Sequence, residues 1–178
     1  MIRIDREQFF SLAAAAVLLA GVIGAARAGG KGPDFEAPTH PAYQKECGSC
    51  HLAYPPGMLP ARSWDKLLTG LSDHFGDNAE LDAATLAGVR QHLMAHAADR
   101  GASRRAPKVL NTLLPEDAPL RFTETRYFQR KHRDIPARLV KGNPQVGSFA
   151  RCEVCHGQAA QGDFDEHGIN IPGHGRWD

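Results

Sequence analysis

Four cysteines and two of the nine histidines fall into one repeated spacing. Cys47-Gly48-Ser49-Cys50-His51 and Cys152-Glu153-Val154-Cys155-His156 each set two thiols three positions apart and follow the second at once with an imidazole. Thiols so spaced can meet the two vinyl groups of one porphyrin, and the same turn of chain then carries the imidazole to the iron. A zinc site would need the two pairs to converge from distant parts of the chain and would leave His51 and His156 without a role. A redox disulfide would favour one pair placed after a strand in a βαβ unit, a pattern missing from this sequence. The chemistry expected is two covalently attached c-type haems, one on Cys47, Cys50 and His51, the other on Cys152, Cys155 and His156.

The sixth position on each iron decides what that chemistry does. A second histidine or a methionine closes the site for electron transfer, whereas an open position admits oxygen, peroxide or carbon monoxide. Met58 stands among Pro55, Pro56 and Pro60, too soon after His51 to pass comfortably around a haem edge. Met94 sits beside an apolar helix face, where gap-filling is the commoner role. Seven histidines lie outside the motifs: His40, His74, His92, His96, His132, His167 and His174. His74 and His132 each fall on the apolar stripe of an expected helix, beside Phe75 or Phe128, aromatics suited to packing on a porphyrin. His92 and His96, four apart, could share a helix face and hold a stray metal ion, but read better as a solvated pair. His40 in the N-terminal arm, and His167 and His174 in the tail, are reserves. Chain order favours His51 with His74 and His156 with His132. The swapped pairing stays open.

Short helices must position these ligands. Tyr43 to Ala53 can form one that carries the first motif and stops at Pro55 and Pro56. A second is expected from Ser63, as its N-cap, with Trp64, Leu67, Leu68, Leu71, His74 and Phe75 at helical spacing and Gly76 ending it. A third runs from Asp82 to about Asp99, with Leu86, Val89, Leu93 and Ala97 on one face. Residues 100–119 read as a connector with one short helix at Val109–Leu114. Thr123 can cap the next helix, along which Phe128, His132, Ile135 and Leu139 recur until Pro136 ends or kinks it. Gly147 to Ala160 carries the second motif. Residues 29–40 read as a loose arm, and the tail from Gly162 to Asp178 as irregular. Strand signals are nearly absent. The fold class expected is all-α, with short helices and long loops wrapped around two covalently bound haems.

The N-terminus reads as a processing segment. Met1 to Gln8 is short and charged, Phe9 to Ala26 is almost unbroken apolar sequence, and Ala26-Arg27-Ala28 has the small-x-small form of a signal-peptidase site. Residues 1–28 are therefore expected to be a signal peptide cleaved after Ala28, with a retained membrane anchor as the alternative. Residues 29–178 form the dihaem domain, and export points to the periplasm. The whole chain carries a formal charge of +1, and removing three arginines with one aspartate and one glutamate brings the remainder to neutrality. Its cations are not gathered into one dominant basic domain, which speaks against nucleic-acid binding. The segment from Arg121 to Lys141 is the most basic stretch, either a solvated helix face or a docking patch for an acidic partner.

Several runs outside the ligands have a familiar look. Glu46 to Pro60 (ECGSCHLAYPPGMLP), Ser63-Trp64, Asp73-His74-Phe75-Gly76, Tyr127 to Arg133 (YFQRKHR), Cys152 to Gly162 and Ile171-Pro172 resemble the exported dihaem cytochrome c family abbreviated DHC. The likeness covers essentially all of residues 40–172. It implies bis-histidine ligation at both haems, with His74 and His132 matching the family's non-motif histidines. It also implies redox partners: a membrane b-type cytochrome or quinol-linked donor, and a small oxygen-binding cytochrome c as soluble acceptor. Contact with the membrane would then come only through a partner. The resulting expectation is an electron carrier, not an enzyme. Two alternatives are a haem enzyme or ligand-binding protein with one open iron, and the small dihaem subunit of a periplasmic reductase. The first lacks a recognisable distal acid, and the second usually differs after its haem-binding histidines from the His156-Gly-Gln-Ala-Ala found here.

Overall fold

A computed structural model describes residues 32–177; the expected signal peptide lies outside the described residues. Six short α-helices and a series of 3-10 turns follow one another, and a two-residue hairpin closes the described chain. The core is divided into three apolar clusters, one near each haem-attachment motif and one between them.

The first cluster is built by α1 (Pro41–Cys47), α2 (Ala61–Thr69) and α3 (Ala83–His96). Asp82 caps α3 by accepting the N–H groups of Ala84 and Thr85, each at 3.0 Å, which satisfies donors that the first helical turn leaves free. The expected stripe then does what its spacing requires: Val89, Leu93 and Ala97 are buried against Tyr43, Trp64 and Leu68. Trp64 donates its indole N–H to the Pro56 carbonyl at 2.8 Å, giving its one polar atom a partner inside the core.

The two helices nearest the first motif depart from expectation. α1 ends at Cys47 rather than continuing to Ala53, because the chain turns at Gly48, where a Cβ would lie 2.1 Å from the Gln44 carbonyl oxygen. α2 begins two residues before Ser63. Its first free N–H, on Ala61, is taken at 2.8 Å by Asp99, just beyond the C-terminal cap of α3; Ser63 is buried within the helix, and its hydroxyl has no hydrogen-bond partner. Gly70, not Gly76, ends α2, and residues 71–73 form a 3-10 turn. His74 is thus not on a buried helical stripe. It opens a tight reversal in which His74 and Asp77 bond each other's backbone, with Phe75 in the left-handed region at φ 59° and 47 % exposed.

The middle cluster joins Phe35, Met58, Val109 and Tyr127. Phe35 belongs to the segment expected to be a loose arm, yet that segment is tied down. The Phe35 N–H donates to Gly162 at 3.0 Å, and the buried Asp34 carboxylate pairs with both Arg104 and Arg105. Gly162 is needed for this contact, since its φ is 77° and a Cβ would fall 2.0 Å from the Phe35 carbonyl oxygen. The connector helix α4 spans Ala106–Leu110, earlier than expected, with Pro107 preorganised in its first turn.

The third cluster holds the second motif. α5 (Arg126–His132) is capped by Thr125, whose hydroxyl accepts the Phe128 N–H at 3.2 Å. Thr123 lies instead in the preceding 3-10 turn. α5 ends at His132 because Pro136 would set its ring against the carbonyl four residues earlier. α6 (Cys152–Cys155) carries the motif itself. The tail is more ordered than its glycines suggest. β1 (Asn170–Ile171) pairs antiparallel with β2 (Gly175–Arg176), and Ile171 is buried beside Val140 and Val146. Among the described residues no helix is long and apolar enough to cross a membrane.

Candidate haem sites

All four cysteines are free thiols. Burial pushes Cys47 up to about 11 and Cys152 up to about 12, with the charges of Glu46 and Glu153 adding to the effect, and Cys155 moves the same way. Cys47, Cys152 and Cys155 are therefore neutral thiols at neutral pH. Among the described residues, no three His, Cys, Asp or Glu side chains surround a common point, so the two pairs do not form a shared four-cysteine centre.

The histidines are arranged differently. The rings of His51 and His74 are stacked with centroids 6.1 Å apart and planes 23° from parallel. Those of His132 and His156 are 6.2 Å apart and crossed at 71°. A metal–imidazole nitrogen bond is about 2 Å, and the ring centre lies about 1 Å farther on, so two imidazoles on opposite sides of one metal have centres about 6 Å apart. Both pairs meet that requirement. His51 Nδ1 lies 2.7 Å from the Leu52 carbonyl and His132 Nδ1 lies 3.0 Å from the Phe128 carbonyl. Such a bond orients the ring and leaves Nε2 available, the usual outer-sphere support of a metal-bound histidine.

The second pair opens onto a largely apolar cavity lined by Phe128, Val146, Phe149, Phe164 and Ile171 beside Cys152 and Cys155. His132 stacks on Phe128 at 3.8 Å. Burial lowers His132 and takes His156 down to about 4; Lys131 and His132 respectively add to the shift, and the Phe128 carbonyl on the one side and Asp34 and Asp163 on the other only partly oppose it, so both are neutral at neutral pH. His156 Nδ1 is buried and has no hydrogen-bond partner. What this site offers a haem is two imidazoles about 6 Å apart beside two free thiols in an apolar lining. The residues fit a haem.

The first pair is more open. His74 sits on its turn beside Phe75, whose ring carries the Arg121 guanidinium 3.6 Å above it. Burial lowers the His74 pKa, and the nearby charges of His51 and Arg121 act in the same direction. Tyr54 packs 5.3 Å from the His51 ring and donates its hydroxyl to Ala150, two residues before Cys152. Burial, then the neighbouring Cys152 and Glu153, push the Tyr54 phenol well above its ordinary value. The tyrosine therefore remains a donor, and one side chain touches both sites.

Of the expected ligands, the structure sets His74 opposite His51 and His132 opposite His156, and Cys152 and Cys155 line the second cavity. Met58 is 1 % exposed among Phe35, Val109 and Tyr127, and Met94 packs against the first cluster. Tyr54, Phe149 and Phe164 were not anticipated as site residues. Tyr54 and Phe149 each stand three residues from a motif, close enough that an aromatic there was a usable signal.

The sequence pattern of the dihaem cytochrome c family matches residues 43–164. Three solved structures are similar. The dihaem cytochrome c sb-DHC of Shewanella baltica OS155 is 42 % identical, with a TM-score of 0.65, covering 78 % of this chain and 98 % of that one. A dihaem cytochrome c from Rhodobacter sphaeroides is 38 % identical with a TM-score of 0.65, covering 72 % and 99 %. DHC purified from Rhodobacter sphaeroides is 36 % identical with a TM-score of 0.54, covering 71 % and 97 %. No curated protein matches the chain. The chain belongs to the dihaem cytochrome c family. It is an electron carrier with two covalently bound haem c groups.

Proposed function

We propose that Cys47, Cys50, His51 and His74 hold one haem and that Cys152, Cys155, His156 and His132 hold the other. Both irons are then closed by two imidazoles, and the protein relays electrons without binding a substrate. The observation that carries this reading is the ring spacing of 6.1 and 6.2 Å in the two pairs. When bound, the haems supply one-electron chemistry at potentials lowered by bis-histidine ligation relative to a methionine-ligated cytochrome c. The chain's own residues aim four imidazoles, lower the pKa of His74, His132 and His156 by burial, exclude water from the second site with Phe128, Phe149 and Phe164, and join the two sites through Tyr54.

The donor in this reading is a membrane b-type cytochrome or another quinol-linked protein, and the acceptor is a soluble cytochrome c. The protein works in the periplasm after cleavage behind Ala28. Arg126, Arg130, Arg138 and Lys141 are exposed on and after α5 and suit an acidic partner surface. Association should then slow steeply as salt rises, and a salt-independent rate would dispose of that docking face.

Electron paramagnetic resonance of the oxidised holoprotein tests the ligation. Nearly parallel imidazole planes donate into the same iron d orbital and split the pair, whereas crossed planes donate into both and leave them close in energy. The 23° and 71° pairs should give two distinct low-spin signals, the crossed one with the larger anisotropy, and the reduced protein should not take up carbon monoxide. A high-spin signal, or rapid carbon monoxide binding, would reject the assignment.

A further inference from the structure

Three histidines outside both haem sites form a second kind of constellation. His92 and His96 lie one turn apart on α3, and their ring centres are 4.8 Å apart. His40, the residue that caps α1, places its ring 5.5 Å from His92. Two imidazoles on one ion at tetrahedral or right angles, rather than opposite each other, have centres about 4.5–5 Å apart given metal–nitrogen bonds of about 2 Å. Both spacings are shorter than in the haem pairs; the 4.8 Å of His92 and His96 falls within what adjacent ligands of one ion need, and the 5.5 Å of His40 and His92 lies just above it.

The free nitrogens agree. His92 Nε2 is buried and has no hydrogen-bond partner. His96 Nδ1 meets the Glu36 carboxylate at 3.3 Å, the carboxylate–histidine arrangement that fixes a ring with its other nitrogen free for a metal. His40 Nδ1 accepts only a long bond of 3.3 Å from the Tyr43 N–H. Gly88 leaves room beside it, since a Cβ there would lie 3.2 Å from His40 Nε2. Two histidines four apart on a helix present both rings to one ion. We propose that His92 and His96 clamp a divalent transition-metal ion of the imidazole-preferring class, zinc or copper, with His40 as third ligand and Glu36 orienting His96. The three rings are not already closed around one point. His92 belongs to both close pairs, and a small rotation of the half-exposed His96 ring about its Glu36 contact brings it closer; His40 releases its long cap bond to join them.

Zinc titration of the haem-loaded protein by calorimetry tests the site, because zinc is redox-silent and the haem spectrum independently reports that the fold is intact. One zinc ion per chain should bind near neutral pH, and binding should weaken as the pH falls and the imidazoles take up protons. His96→Gln, at a half-exposed position, and His92→Gln should each weaken it at least tenfold with the haem spectrum unchanged. His40→Gln should weaken it less, and His167→Gln with His174→Gln, in the tail, not at all. Absence of binding at micromolar zinc, or wild-type affinity in the His92→Gln, His96→Gln double variant, would overturn the proposal.

Discussion

The two haem sites use the same donors at nearly the same spacing, 6.1 and 6.2 Å between ring centres, yet they are built on different principles. At the second site the cavity, the ligands and the third apolar cluster are one structure: Val146 and Ile171 line the cavity and belong to that cluster, and Phe149 and Cys155 pack against it. At the first site the core beside the motif, from Tyr43 and Trp64 to Val89 and Leu93, closes mostly on itself. His74 reaches the pair from an exposed turn. Ligand spacing follows from what an iron requires, whereas the surrounding packing decides how far the fold depends on the cofactor.

The largest contrast should come from removing each haem. Cys152→Ala with Cys155→Ala leaves the apolar cavity without its occupant. That loss should cost at least the roughly 3–5 kcal/mol of deleting one core Phe. Cys47→Ala with Cys50→Ala should cost distinctly less. Thermal unfolding followed by far-ultraviolet circular dichroism, with haem counted by absorbance, separates the two; the comparison breaks if the first-site variant melts lower.

A smaller difference should separate the distal ligands. His74→Ala and His132→Ala should each yield a high-spin iron that takes up carbon monoxide, without loss of either covalent haem. His132→Ala should in addition cost about 1 kcal/mol or more in stability, since that ring stacks at 3.8 Å on Phe128 and such pairs are worth about 0.5–1.5 kcal/mol beyond their buried area. His74 has a weaker hold, a tilted contact with the exposed Phe75 at 4.7 Å. Denaturant titration of the two variants reads the gap directly, and equal losses would mean that the turn is as well supported as the helix.

The attachment motifs were legible in the sequence because covalent haem chemistry imposes a local spacing, and α3 was legible because its apolar period is long and capped by Asp82. His74 and His132 were legible as the rings that face His51 and His156, but for His74 the structural reason was misplaced. Leu71, His74 and Phe75 keep helical spacing beyond the point where the helix stops at Gly70, and a reversal through Phe75 brings the same histidine opposite His51. Periodicity cannot distinguish those two routes. The order of the 32–40 segment was hidden for another reason: it depends on Asp34 meeting Arg104 and Arg105 and on Phe35 meeting Gly162, pairings too distant in sequence for any local pattern to reveal. The short hairpin escaped notice because two residues per strand are too few to show alternation. The approach of His40 to His92 was hidden by distance in sequence, as the Asp34 pairings were, since its ring arrives from the cap of α1.

The smallest effect concerns the tie between the two regions. Tyr54 rests on the His51 ring and bonds the Ala150 carbonyl just before the second motif, so Tyr54→Phe keeps the packing and removes only the bond between the lobes. A neutral hydrogen bond contributes about 0.5–1.5 kcal/mol net, and the variant should lose about that much while retaining both haems and both low-spin signals. Its unfolding should also become less concerted, because the aromatic contact remains on one side and the polar contact disappears on the other. Denaturant curves monitored separately by haem absorbance and by tryptophan fluorescence, with Trp64 in the first cluster and Trp177 against the third, should therefore drift apart in Tyr54→Phe. Curves that still coincide at the wild-type midpoint would show that the middle cluster of Phe35, Met58, Val109 and Tyr127 couples the lobes without help from this residue.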